Sequence, residues 1–147
     1  MNPEHVRVLV ARRMQQATEA LEDGKYLLAA GRGARTAVNR AYYAAFYAVL
    51  ALLQALGKTP RKHRGVLALF DTEYVRTGRL PKELSAALHQ LLDARQEDDY
   101  RRPDPVLPEE ATEFIAVTEQ FVQAIRDHLL DTGYLPREEH SGLFYGA

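Results

Sequence analysis

The sequence predicts an all-α protein, an up-and-down bundle of about five helices. Apolar residues recur at steps of three and four along nearly the whole chain, and Ala and Leu dominate where strands would favour Val, Ile and Thr. No alternating apolar run is flanked by hairpin turn residues. The length of 147 residues suits one domain. No internal repeat near the roughly 34- or 40-residue periods of solenoids is present.

Val6, Val10, Met14, Ala17, Leu21, Gly24 and Leu28 mark a first helix from about Pro3 to Ala30. Gly24 weakens it by about 1 kcal/mol relative to Ala. Gly31 and Gly33 break the pattern, and a second helix runs from about Ala34 to Leu56, closed by Gly57 and Pro60. This most apolar helix has two faces, one with Asn39, Tyr43, Phe46, Tyr47 and Leu50, the other with Val38, Tyr42, Ala45, Val49 and Leu52. It is therefore either the central helix of the bundle or a helix that meets a second copy of the protein through one face, a setting that suits Tyr. After the basic turn KTPRKHRG, a third helix is expected from about Gly65 to Arg76, and Pro81 opens a fourth that reaches about Asp99. RRPDPVLP interrupts the helical pattern, and Pro108 starts a fifth helix with Glu109 and Glu110 near its positive end. Phe114, Val117, Phe121, Ile125 and His128 are its expected buried stripe. The bundle is thus assigned to residues 1–131 and a C-terminal tail without a period to residues 132–147.

The formal net charge of −1 conceals a polarised chain. Between Gly24 and Phe70 there is no Asp or Glu, yet Lys25, Arg32, Arg35, Arg40, Lys58, Arg61, Lys62 and Arg64 all lie there. Such asymmetry fits an anionic partner, or ion pairing of the basic stretch with acidic residues elsewhere in the fold. With no Cys, disulfides, thiolate zinc sites and Cys nucleophiles are excluded, and the five His lack metal-ligand spacing. No metal or other cofactor is expected. No apolar run is long enough for a membrane helix, so a cytoplasmic protein without membrane contact is expected.

One polar residue interrupts an apolar stripe. Leu84, Leu88 and Leu91 of the fourth helix are followed on the same face by Arg95. Burying a guanidinium without partners is costly, so Arg95 must meet carboxylates, carbonyls or an anion in a cleft. Asp98 and Asp99, three and four residues on, are candidate local partners. His89 precedes Arg95 by six residues, about 120° round the helix, and is expected off its face.

RAYYAAFYAVLALL, KHRGVLALFDTEYVRTGRLPKEL and ARQEDDY resemble the HEPN domain family, in its small stand-alone bacterial and archaeal members, over about Leu9 to Leu130. The resemblance implies a helical bundle that forms a homodimer with its polar motifs facing one another. In many HEPN proteins an Arg, four to six residues and a His cut RNA without metal, the Arg steadying the phosphate and the His moving protons. Matched onto this chain, Arg95 takes the Arg position and Tyr100 stands after four residues, in place of the His. A free Tyr, with a pKa of about 10, is roughly 0.1% ionised at pH 7, so weak nuclease activity or none is expected. The resemblance also implies a nucleotidyltransferase partner of toxin–antitoxin type, with Tyr100 as a candidate nucleotide acceptor.

From Asp93 to Asp104 there are five acids and three arginines, so RNA would need the second helix and the basic turn for its backbone contacts. The candidate site is therefore Arg95 and Tyr100 as the chemical pair, with Asn39, Arg40, Tyr43, Lys62, His63 and Asp99 as binding residues. The first reading is a dimeric HEPN protein that binds RNA or a nucleotide. Its alternatives are a metal-independent endoribonuclease, in which Tyr100 or His63 carries the proton, and a structural helical adaptor with an internal Arg95–Asp99 pair.

Overall fold

Asn2 caps the first helix by accepting the Glu4 N–H on its Oδ1 at 2.8 Å, and Pro3 supplies a preset first turn. The computed structural model describes residues 2–100 and 105–136, the side chains of 96–100 excepted. It contains α1 (Pro3–Ala29), α2 (Ala34–Ala55), α3 (His63–Phe70), α4 (Lys82–Tyr100) and α5 (Pro108–Asp131), with no strand among the described residues. The all-α bundle expected from the sequence is the observed fold. Gly31 and Gly33, with φ of 71° and 70°, turn the chain between α1 and α2 in a region that L side chains rarely enter.

The third helix starts at His63, two residues earlier than the sequence suggests, and its end widens. The Arg76 N–H bonds the Asp71 carbonyl, five residues back, so Asp71–Val75 form a π turn that continues α3. At the start of α5, the Glu110 carboxylate accepts the Leu107 N–H, which satisfies one of the orphan donors there.

Helix α2 is the centre of the bundle and packs against α1, α3, α4 and α5. Val38, Tyr42, Ala45, Val49 and Leu52 are wholly buried, whereas Asn39, Tyr43, Tyr47 and Leu50 form a half-open stripe. Gly24 sits where α1 meets α2 and α5, and a Cβ there would lie 2.7 Å from Ile115 Cδ1. Its helix penalty is tied to close packing at this crossing.

The buried face of α5 differs from the expected stripe. It comprises Ala111, Ile115, Thr118, Phe121, Val122, Ile125 and Leu129, while Phe114, Val117 and His128 are half-buried at its edges. Helix α5 lies against both α1 and α2, so it buries the sector between two neighbours, not the single line of its larger side chains.

Past α5 the chain turns at Gly133 and returns to the bundle. Arg7 Nε donates to the Gly133 carbonyl at 3.0 Å, and Tyr134 and Leu135 pack on the core. The remaining tail residues, Leu143, Phe144 and Tyr145 among them, lie outside the described residues. Within the acid-free stretch, Lys25 pairs with Glu119 and Lys58 with Glu73, both acids from elsewhere in the fold. Among the described residues, no helix is long and apolar enough to cross a membrane.

Candidate functional site

The apolar stripe of α4 delivers Arg95 inward. Leu88 and Leu91 are buried at 1% and 0% exposure, and one turn later the half-buried Arg95 faces α2. Its guanidinium carbon lies 5.2 Å from the Tyr42 ring centroid and 5.4 Å from that of Tyr43. Nη2 is 3.5 Å from the Tyr43 hydroxyl, at the outer limit of a hydrogen bond. A cation over two aromatic faces is worth roughly 0.5–2 kcal/mol per contact, depending on desolvation.

Tyr43 is shared. Arg40 lies 5.3 Å over the same ring and donates through Nη2 to Asn39 Oδ1 at 3.1 Å. On the other side, the buried Tyr42 hydroxyl is 3.2 Å from His63 Nδ1, and the His63 ring lies 4.2 Å from that of Phe46. Burial pushes the Tyr42 pKa up to about 12, against the opposing pull of Arg95, so Tyr42 stays a neutral phenol. Partial desolvation and then the Arg95 charge hold His63 below the ordinary histidine range. His63 is therefore neutral near pH 7 and able to accept a proton.

Asn39, Arg40, Tyr43, His63 and Arg95, which the sequence singles out, thus form one connected group. Lys62 is exposed at the N-cap of α3, next to His63 in the chain. The α4 backbone continues through Asp99 and Tyr100, but their side chains lie outside the described residues.

Between α3 and α4 opens a cleft of about 580 Å³ whose lining includes His63, Arg64, Leu67, Asp71, His89 and Arg95. His89 lines this cleft as well, although it stands off Arg95's face of α4. A separation of 120° on one helix excludes a shared face, yet the cleft is wide enough to take in both flanks of α4. Asp71 joins the two walls: its Oδ2 lies 3.3 Å from His89 Nε2, and its Oδ1 accepts the Ser85 hydroxyl at 2.6 Å. Ser85 and His89 share a helix face at i and i+4, which is legible in sequence; their meeting with Asp71 is not. Among the described residues, no three His, Asp or Glu converge as a metal-ligand group. Chemically, the cleft presents two guanidiniums that can bind phosphate and two imidazoles that can exchange protons.

The HEPN domain family profile matches residues 10–128, from α1 to near the end of α5. The chain belongs to the HEPN domain family. Its HEPN relatives include a UPF0332 protein of Thermotoga maritima, 40% identical over 117 residues, or 80% of this chain and 88% of the relative. A Methanocaldococcus jannaschii protein carrying the name "Putative toxin MJ0142" is 33% identical over 102 residues, 69% of each chain. The matched HEPN region contains every residue of the Arg95 group and the His89–Asp71 pair.

Proposed function

We propose that this HEPN protein is the toxin-type member of a toxin–antitoxin pair and binds RNA or a nucleotide through its phosphates in the Arg95 cleft. The observation that carries this is the Arg95 guanidinium, drawn inward onto Tyr42 and Tyr43 at a cleft that also holds Arg64 and His63. Exposed Arg61, Lys62 and Arg64 supply contacts along a phosphate backbone. The toxin-named relative supports the toxin assignment, and a nucleotidyltransferase is the partner proposed. The half-open stripe of Asn39, Tyr43, Tyr47 and Leu50 supports a homodimer with this face of α2 at the contact.

The test is binding of fluorescent single-stranded RNA and of ATP by the purified protein in EDTA, followed by anisotropy and calorimetry. RNA affinity should fall with salt at a log–log slope of about −0.7 per phosphate contacted. Arg95→Ala should weaken binding tenfold or more, because a charge-assisted contact contributes roughly 1.5–3 kcal/mol. Binding that ignores Arg95, or no binding at low salt, overturns the proposal. A second reading, metal-independent cleavage of RNA, is favoured by the presence of two histidines in the cleft.

A further inference from the structure

We propose that His89, oriented by Asp71, is the second proton carrier of this cleft and acts with His63 and Arg95 in cleaving RNA. This inference rests on the proposed binding of RNA there. The Arg-x4-Tyr sequence has no histidine at the usual position, and the tertiary fold brings two to the cleft from elsewhere: His63 at the start of α3 and His89 on α4.

An exposed His–Asp pair is by itself an ordinary surface feature of little energetic weight. Two observations set this one apart. Both Asp71 oxygens are engaged, one by the Ser85 hydroxyl and one by His89 Nε2, so the carboxylate is held from two sides and its contact falls on a single ring nitrogen. The pair also lines the same cavity as Arg95, Arg64 and His63. Each histidine thus has one nitrogen committed to an orienting group, His63 Nδ1 at the Tyr42 hydroxyl and His89 Nε2 at Asp71. That leaves His63 Nε2 and His89 Nδ1 for a ligand, the orienter-and-base arrangement that acid–base catalysis requires.

In the step inferred, the ribose 2′-hydroxyl gives its proton to His63 Nε2 and its oxygen attacks the adjacent phosphorus. The P–O5′ bond breaks as His89 Nδ1 protonates the leaving oxygen. Products are a 2′,3′-cyclic phosphate and a free 5′-hydroxyl, so atoms and protons balance without a co-reactant. Arg95 offsets the charge that builds on the phosphoryl oxygens. Asp71 is a positioning residue: it fixes the imidazole and steadies the cation while the proton is in transit. Among the described residues, the charged and titratable groups that line the cleft with His89 are Asp71, Arg64 and His63 from the α3 side and Arg95 from α4, and Asp93 follows His89 by four residues on its own helix.

The experiment compares wild type, His89→Ala, His63→Ala, Asp71→Asn and Arg95→Ala on a single-stranded oligoribonucleotide in EDTA, reading affinity and cleavage separately. Expected are slow wild-type cleavage to cyclic phosphate ends and a loss of roughly 10²-fold or more in His89→Ala, with RNA affinity within twofold of wild type. Asp71→Asn should lower kcat about tenfold at unchanged KM, a kcat-against-KM split that a purely structural Asp71 would not give. Wild-type RNA binding without cleavage, or a His89→Ala variant that cleaves as wild type does, overturns this inference and leaves the binding proposal standing. Absence of Arg95-dependent binding overturns both.

Discussion

At Arg95 the position asks for leucine and the residue supplies a cation. The two tyrosine rings that receive it both belong to α2, so the guanidinium sits against that helix at the cleft edge. Planarity then matters as much as charge. Arg95→Lys keeps the charge but loses the flat, forked donor, and RNA affinity should drop about three- to tenfold by anisotropy. Equal affinity would reduce the site to a point charge. A second residue tests the core: Thr118 is wholly buried on α5, and its hydroxyl has no hydrogen-bond partner among the described residues. Thr118→Val removes that desolvated hydroxyl, so unfolding free energy in urea should stay level or rise by up to about 1 kcal/mol. A marked loss would show that the hydroxyl is satisfied.

Among the elements, α1, α2 and α5 are locked by the absence of a side chain at Gly24. Sequence alone reads Gly24 as a weak point; packing shows that a side chain there would have to move the Ile115 Cδ1 methyl, which a Cβ would meet at 2.7 Å. Gly24→Ala gains about 1 kcal/mol of helix propensity but must displace a methyl in a packed core, typically at 1–3 kcal/mol. Ile115→Val, which deletes that methyl, should cost about 0.5–1.5 kcal/mol in the wild type and close to nothing in the Gly24→Ala background. Additive effects in this double-mutant cycle would mean that the two side chains do not compete for the same space. The π turn at Asp71–Val75 belongs to this scale too. It begins at the residue that bridges α3 to Ser85 and His89, and no periodicity in the sequence announces it.

For the molecule as a whole, titratable groups that lose part or all of their hydration define a stability window. Desolvation lowers His63 and His128 below the ordinary 6.5, with Arg95 and Arg79 respectively adding to the effect. The unfolded chain then binds more protons than the folded one in acid, so this stability is present above about pH 6.5 and is lost as pH falls through the folded values. Burial raises Tyr42 and Tyr74 from 10.0 to about 12. Here the folded state keeps protons that the unfolded chain has released, so stability declines as pH climbs from about 10 towards 12. Melting temperatures should therefore be level between roughly pH 7 and 9.5 and fall on both sides. The His63→Gln, His128→Gln double variant should flatten the acid side; an unchanged acid slope would assign it to other groups.

The sequence by itself determined the helical class, five helix positions to within about two residues and the inward setting of Arg95, because each depends on spacing along one helix. It also held the residues of the HEPN match. Only the tertiary structure decided which sector of α5 is buried, how the chain returns after Gly133, and which side chains share the cleft. Tyr42 meets His63 across 21 residues and Asp71 meets His89 across 18, each pair bridging separate segments of the chain. Such contacts depend on how helices cross and where a turn widens, and neither is encoded in the period of a single helix.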